Sequence, residues 1–100
     1  MSPSEVSGEL ATLTVLDVRE PAEHELGTIP GALLVPLGEL LSCRSLGDLQ
    51  SRRLVLTCKT GPRAERAAQH LLELGHADVR VLSGGMLRWV EEVDPSLPRY

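Results

Sequence analysis

The sequence predicts a single α/β domain with a mostly parallel central sheet and helices on both faces. Three observations carry that expectation. The chain has 100 residues, a length that folds as one domain around one core. Its strand candidates are short apolar runs without polar alternation, the pattern of strands covered on both faces. Those runs alternate with segments of helical period, which favours parallel pairing through right-handed crossovers. With 42% apolar but only 2% aromatic residues, the core has to be built from Leu, Val and Ala. A chain of this size leaves room for a shallow site, not for a large cofactor cavity.

Leu13 to Val18 is β-branched and apolar and runs into Asp17, Arg19 and Glu20 before Pro21, a buried strand entering a loop. Glu20 to Leu26 follows as one or two helical turns, with Pro21 in the first turn and Gly27 as the stop. Ile29, Pro30 and Gly31 mark a turn. Ala32 to Val35 is too short for a helix, and Pro36 holds Val35 extended, so a short strand is expected. Leu37 to Cys43 reads as a helix weakened by Gly38, and residues 47–53 as a polar connection anchored by Leu46 and Leu49.

Leu54 to Thr57 is apolar without alternation and delivers Cys58 at its carboxyl end. From Arg63 to Leu74, the residues Ala64, Ala67, Ala68, Leu71 and Leu72 recur at helical spacing until Gly75 stops the pattern. Val79 to Leu82 is the next strand, residues 83–85 a turn, and Met86 to Val93 a final helix whose Trp89 packs onto the sheet. Pro95 and Pro98 leave residues 94–100 as an extended tail. No internal repeat or low-complexity stretch interrupts this order, and the whole of 1–100 is expected to be one domain.

A net charge of −4 offers no field for phosphate backbones, which argues against nucleic acid as a partner. No apolar run approaches the roughly 20 residues that cross a bilayer, so no membrane association is expected. Residues 1–8 lack the basic and apolar regions of a secretory signal, which makes the cytoplasm the expected compartment, with Cys43 and Cys58 as thiols. His24, His70 and His76 have no metal-ligand spacing and are expected to face solvent, and no metal is expected. Glu20, Glu23 and Glu25 read as a solvated face. Gly84-Gly85 reads as turn geometry, and Cys43 as a partly buried small apolar residue, with a resolving thiol as the lesser reading.

The chemistry concentrates in Cys58-Lys59-Thr60-Gly61-Pro62-Arg63, the link between the strand at 54–57 and the long helix. A tight turn from strand to helix lets backbone amides converge on one point in front of the helix dipole, an arrangement that favours a thiolate over a thiol. Lys59, the sole lysine among ten basic residues, and Arg63 are the adjacent cations. Pro62 withdraws one amide from the cradle, leaving Lys59, Thr60, Gly61 and Arg63 as donors. Gly61 offers the positive φ that a reversal around the sulfur requires.

These six residues resemble the active-site loop of rhodanese-like sulfurtransferases. Leu16 to Pro21 with Glu25 to Ala32 is similar to the amino-terminal signature of that family, and Leu82-Ser83-Gly84-Gly85 through Trp89 to its carboxyl-terminal one. The resemblance covers about residues 12–93. It implies that Cys58 accepts sulfane sulfur as a persulfide and passes it on, with no metal or organic cofactor. Donors would be thiosulfate, mercaptopyruvate or a cysteine desulfurase; acceptors would be cyanide in vitro or a ubiquitin-like sulfur-carrier protein. It also implies that Asp17 and Arg19 support the loop without acting as nucleophiles.

His24 stands where many relatives have an aromatic residue, and Thr28 where many have His; both are expected to affect packing more than chemistry. The segment ahead of the first strand looks shortened, so residues 1–11 are expected to be irregular. Residues 93–100 resemble the ending of fusions in which an adenylyltransferase precedes a rhodanese domain, of the kind that activate molybdopterin synthase. Two alternatives share the fold. One is an inactive interaction module. The other is a phosphatase or arsenate reductase, disfavoured because those enzymes place one more residue between Cys and Arg than the four found here.

Overall fold

The computed structural model describes residues 1–44 and 47–99, and Leu46, expected to anchor the connection before residue 54, lies outside them. Strands β1 (Thr14–Asp17), β2 (Leu33–Leu34), β3 (Leu54–Thr57) and β4 (Val79–Val81) form one sheet in the order β2-β1-β3-β4. All three pairings are parallel, as the alternation of elements requires. The helices are α1 (Pro3–Gly8), α2 (Pro21–Leu26), α3 (Leu37–Ser42), α4 (Pro62–Glu73) and α5 (Gly85–Glu92).

Side-chain parity along the strands divides the core. Leu16, Leu54, Leu56 and Cys58 face Leu40 of α3 and Ala64, Ala67 and Leu71 of α4. Val15 and Val55 point to the other layer, where Val6 of α1 meets Met86 and Trp89 of α5 together with Ile29 and Leu82. Trp89 thus packs the last helix onto the sheet as expected. Cys58 shares its parity with Leu54 and Leu56, so it leaves β3 on the α4 side, at the carboxyl edge where Asp17 ends β1.

Several local expectations are corrected. Residues 1–11 are not irregular. Ser2 and Glu5 form a reciprocal capping box, Pro3 fills the first helical turn, and buried Val6 holds α1 on the second core. The strand expected over 32–35 is reduced to Leu33–Leu34. The tail expected to extend over residues 94–100 does not simply extend within its described part, 94–99: the Leu97 amide donates to the Asp94 carbonyl, and Leu97 packs against the second core. Its Cδ2 comes close to Gly27, where a Cβ would meet it at 2.9 Å.

Of the histidines expected to face solvent, His76 is buried and His24 and His70 are half-buried, each ring having a nearby oxygen to satisfy one nitrogen. His24 Nδ1 donates to Asp17 Oδ2 at 2.9 Å. His70 and His76 donate through Nε2 to the carbonyls of Cys43 and Leu49. Cys43 closes α3, and its thiol donates to the Glu39 carbonyl. Among the described residues, no helix is long and apolar enough to cross a membrane.

Candidate active site

Cys58 follows β3 directly, and four residues later α4 begins at Pro62 with Gly61 as its cap. The chain therefore has to reverse within Lys59, Thr60 and Gly61. Gly61 takes φ +141°, a left-handed geometry that costs any other residue steric strain, and its amide donates to Cys58 Sγ at 3.0 Å. Cys58 is 1% exposed, while Lys59 and Thr60 beside it are exposed.

The other side of this turn is fixed by α5. The Met86 amide donates to the Cys58 carbonyl at 2.8 Å and the Leu87 amide to the Lys59 carbonyl at 3.1 Å. A trans peptide places its N–H opposite its C=O, so pinning these carbonyls on α5 turns the amides of Lys59 and Thr60 away from that helix. Gly85, with φ +61°, makes the approach sterically feasible, because a Cβ there would lie 2.6 Å from both carbonyl oxygens. Gly85 is thus a positioning residue that the reading of Gly84-Gly85 as simple turn geometry misses. Its signal in the sequence was the second glycine of the pair, directly ahead of the last helix.

Arg63, expected as a cation beside the sulfur, has Glu23 as its principal partner. Its guanidinium grips Glu23 in two parallel bonds, Nη1 to Oε1 at 2.7 Å and Nη2 to Oε2 at 3.0 Å. This geometry suits planar guanidinium and carboxylate groups better than a thiolate. Glu23 consequently is not part of a merely solvated face: it ties α2 to the start of α4. The Arg63 hydrogen bonds bring its carboxyl down to about 2. In return, Glu23 raises the guanidinium of Arg63 above its ordinary range, with smaller contributions from the charges of Cys58 and Asp17.

Asp17 and Arg19 are each 0% exposed. Arg19 donates to both carboxylate oxygens of Asp17 and, through Nη2, to the Gly27 carbonyl at 2.7 Å. His24 and Thr28 complete the shell of Asp17, so the two departures from the family pattern serve one carboxylate. Burial works to raise the Asp17 carboxyl, but the bonds from Arg19 and His24 outweigh it and hold the group below its ordinary value. The Val18 amide donates to the Thr57 carbonyl at 3.0 Å, which registers this buried ion pair beside the residue preceding Cys58.

The structure thus places Lys59, Thr60 and Gly61 in the turn after Cys58, Arg63 in the first turn of α4, and Asp17 and Arg19 at the adjacent strand end. A separate cavity of about 260 Å³, lined by Leu10, Leu13, Thr14, Leu33 and Arg52 among others, opens at the amino-terminal ends of the strands, opposite Cys58.

Residues 2–92 match the rhodanese-like domain. The chain is 36% identical over 89 residues to the probable adenylyltransferase/sulfurtransferase MoeZ of Mycobacterium tuberculosis, covering 88% of this chain and 23% of that protein. It is 35% identical over 94 residues to the adenylyltransferase and sulfurtransferase MOCS3 of Drosophila ananassae, covering 86% and 21%. It therefore spans between a fifth and a quarter of the length of these curated relatives. Among solved structures, it is similar to the human single-domain sulfurtransferase TSTD1, with a TM-score of 0.79 and 31% identity over 92% of this chain and 95% of that one. A rhodanese-related protein from Thermoplasma volcanium gives a TM-score of 0.83 at 27% identity, covering 100% and 97%.

Proposed function

Because the chain belongs to the rhodanese-like domain family, we propose that it is a sulfurtransferase carrying sulfane sulfur as a persulfide on Cys58. The Cys58 thiolate attacks the outer sulfur of the donor and forms an S–S bond. The donor's own bond to that sulfur breaks, and its electron pair leaves with sulfite if the donor is thiosulfate or with a thiolate if it is an organic persulfide. An acceptor then attacks the outer sulfur, and the S–S electron pair returns to Sγ. With cyanide the product is thiocyanate.

The observation that carries this reading is the Gly61 amide aimed at Sγ from 3.0 Å, at a turn whose carbonyls are drawn off to α5. Such a donor stabilises negative charge on Sγ and works without reorganisation. Lys59, on the exposed rim, attracts anionic donors; Asp17 and Arg19 hold the end of β1 against the loop. The four-residue spacing between Cys58 and Arg63, with α4 starting already at Pro62, suits a sulfur atom better than a phosphate.

In the cell, a cysteine desulfurase is the proposed donor and a ubiquitin-like sulfur carrier the proposed acceptor, the acceptor alone drawing support from the adenylyltransferase/sulfurtransferase relatives. The cytoplasm is the proposed compartment. One observation favours a second reading: the 1% exposure of Cys58 also suits an inert thiol in a non-catalytic interaction module.

Intact-mass measurement separates the two. After incubation with thiosulfate, or separately with glutathione persulfide, the protein gains one sulfur atom that cyanide removes and that Cys58→Ala never acquires. Absence of an adduct with either donor overturns the enzyme in favour of the module, and turnover of an aryl phosphate overturns it in favour of the phosphatase.

A further inference from the structure

We infer that Glu23 is a specificity-determining residue: by occupying both arms of the Arg63 guanidinium, it biases Cys58 against oxyanion donors such as thiosulfate and toward organic persulfides. The inference rests on the sulfurtransferase reading and narrows its donor class. Thiosulfate presents two negative charges and three oxygens, which are best received by a planar guanidinium fork. The fork nearest the loop belongs to Arg63, and its Nη1–Nη2 edge, two of its five N–H donors, is already bonded to Glu23.

The carboxylate also stands one guanidinium away from the incoming anion and repels a dianion more than a monoanion. A persulfide, R–S–SH, carries no oxyanion on the sulfur that holds the transferred atom, in glutathione persulfide the carboxylates being many bonds away, and so needs no fork at the reacting centre. Attack of the Cys58 thiolate on its outer sulfur gives the Cys58 persulfide and R–S⁻, with the proton staying on the transferred sulfur. Glu23 is itself held in place, since the Glu20 amide donates to its Oε1 at 3.0 Å. That edge of the fork is thereby closed by a fixed group.

The test compares kcat/KM for sulfur loading from thiosulfate and from glutathione persulfide in the wild-type protein, Glu23→Gln and the double variant Glu23→Gln/Arg63→Ala. Wild type is expected to favour the persulfide by about tenfold or more, the scale of one charge-assisted contact. Glu23→Gln keeps an oxygen for the Glu20 amide but removes the charge. It should raise thiosulfate loading about fivefold relative to persulfide loading, and the double variant should cancel that gain. Parallel changes for both donors, or a gain that survives loss of Arg63, overturn the inference. So does a wild type that loads thiosulfate as readily as persulfide, a result that holds whether or not the variants fold. Loading from neither donor overturns the sulfurtransferase reading itself.

Discussion

The two glycines that shape the sulfur site do so for different reasons, and their alanine variants separate the effects. At Gly61 an added Cβ meets nothing within 4 Å, so Gly61→Ala suffers only from its φ of +141°, a strain of about 1–3 kcal/mol. Because the Gly61 amide is the group on Sγ, relaxation of that strain moves the donor, and sulfur loading should fall further than thermal stability. At Gly85 the added Cβ collides with the carbonyls of Cys58 and Lys59 at 2.6 Å. Neither backbone can yield without breaking the bonds from Met86 and Leu87, so Gly85→Ala should cost about 2 kcal/mol or more. Melting temperature and persulfide formation should therefore fall together. A Gly85→Ala protein that melts and loads like wild type would show that α5 does not position the loop.

Secondary-structure elements were legible where the pattern was local. The uninterrupted run Leu54 to Thr57 and the spacing of Ala64, Ala67, Ala68 and Leu71 mark β3 and α4 because burial on both faces, or on one stripe, is written directly into composition. The candidate loop was legible for the same reason, since Cys58 to Arg63 is continuous in the chain. Partners distant in sequence were not legible: the grip of Arg63 on Glu23 spans 40 residues, and nothing in an exposed-looking Glu20-Pro21-Ala22-Glu23 announces it. The α1 helix is a different case, because Ser2-Pro3-Ser4-Glu5 spells a capping box that was there to be read. Ser2→Ala should remove the bond to the Glu5 amide and lower stability by about 1 kcal/mol, seen as a lower denaturant midpoint without a change in slope. An unchanged midpoint would mean that α1 is held by Val6 alone.

At the scale of the whole molecule, carboxylates tie the layers together, and this sets how the fold responds to acid. Glu23 bridges α2 to α4, and its carboxyl falls from an ordinary 4.5 to about 2 in the folded state. Asp17, buried between Arg19 and His24, is also held below its ordinary value. A group whose folded value is depressed binds its proton more readily when the chain unfolds. Its stabilisation is therefore complete above the ordinary carboxylate range and is withdrawn as pH falls through that range toward the folded value. The native state should lose stability between about pH 4.5 and pH 2. Part of that loss is assignable, because Arg63 is the chief cause of the Glu23 shift. Arg63→Ala should be less stable than wild type at pH 7, and the difference should shrink steadily from pH 4.5 to pH 2 as Glu23 takes up its proton in both proteins. The Arg63 and Glu23 side chains are 34% and 23% exposed, so added salt should also narrow the gap at neutral pH by screening the pair. Denaturant titrations of the two proteins at stepped pH measure this directly. A gap that stays constant down to pH 2 would show that Arg63 stabilises the fold through packing, and that the tie between α2 and α4 is not electrostatic.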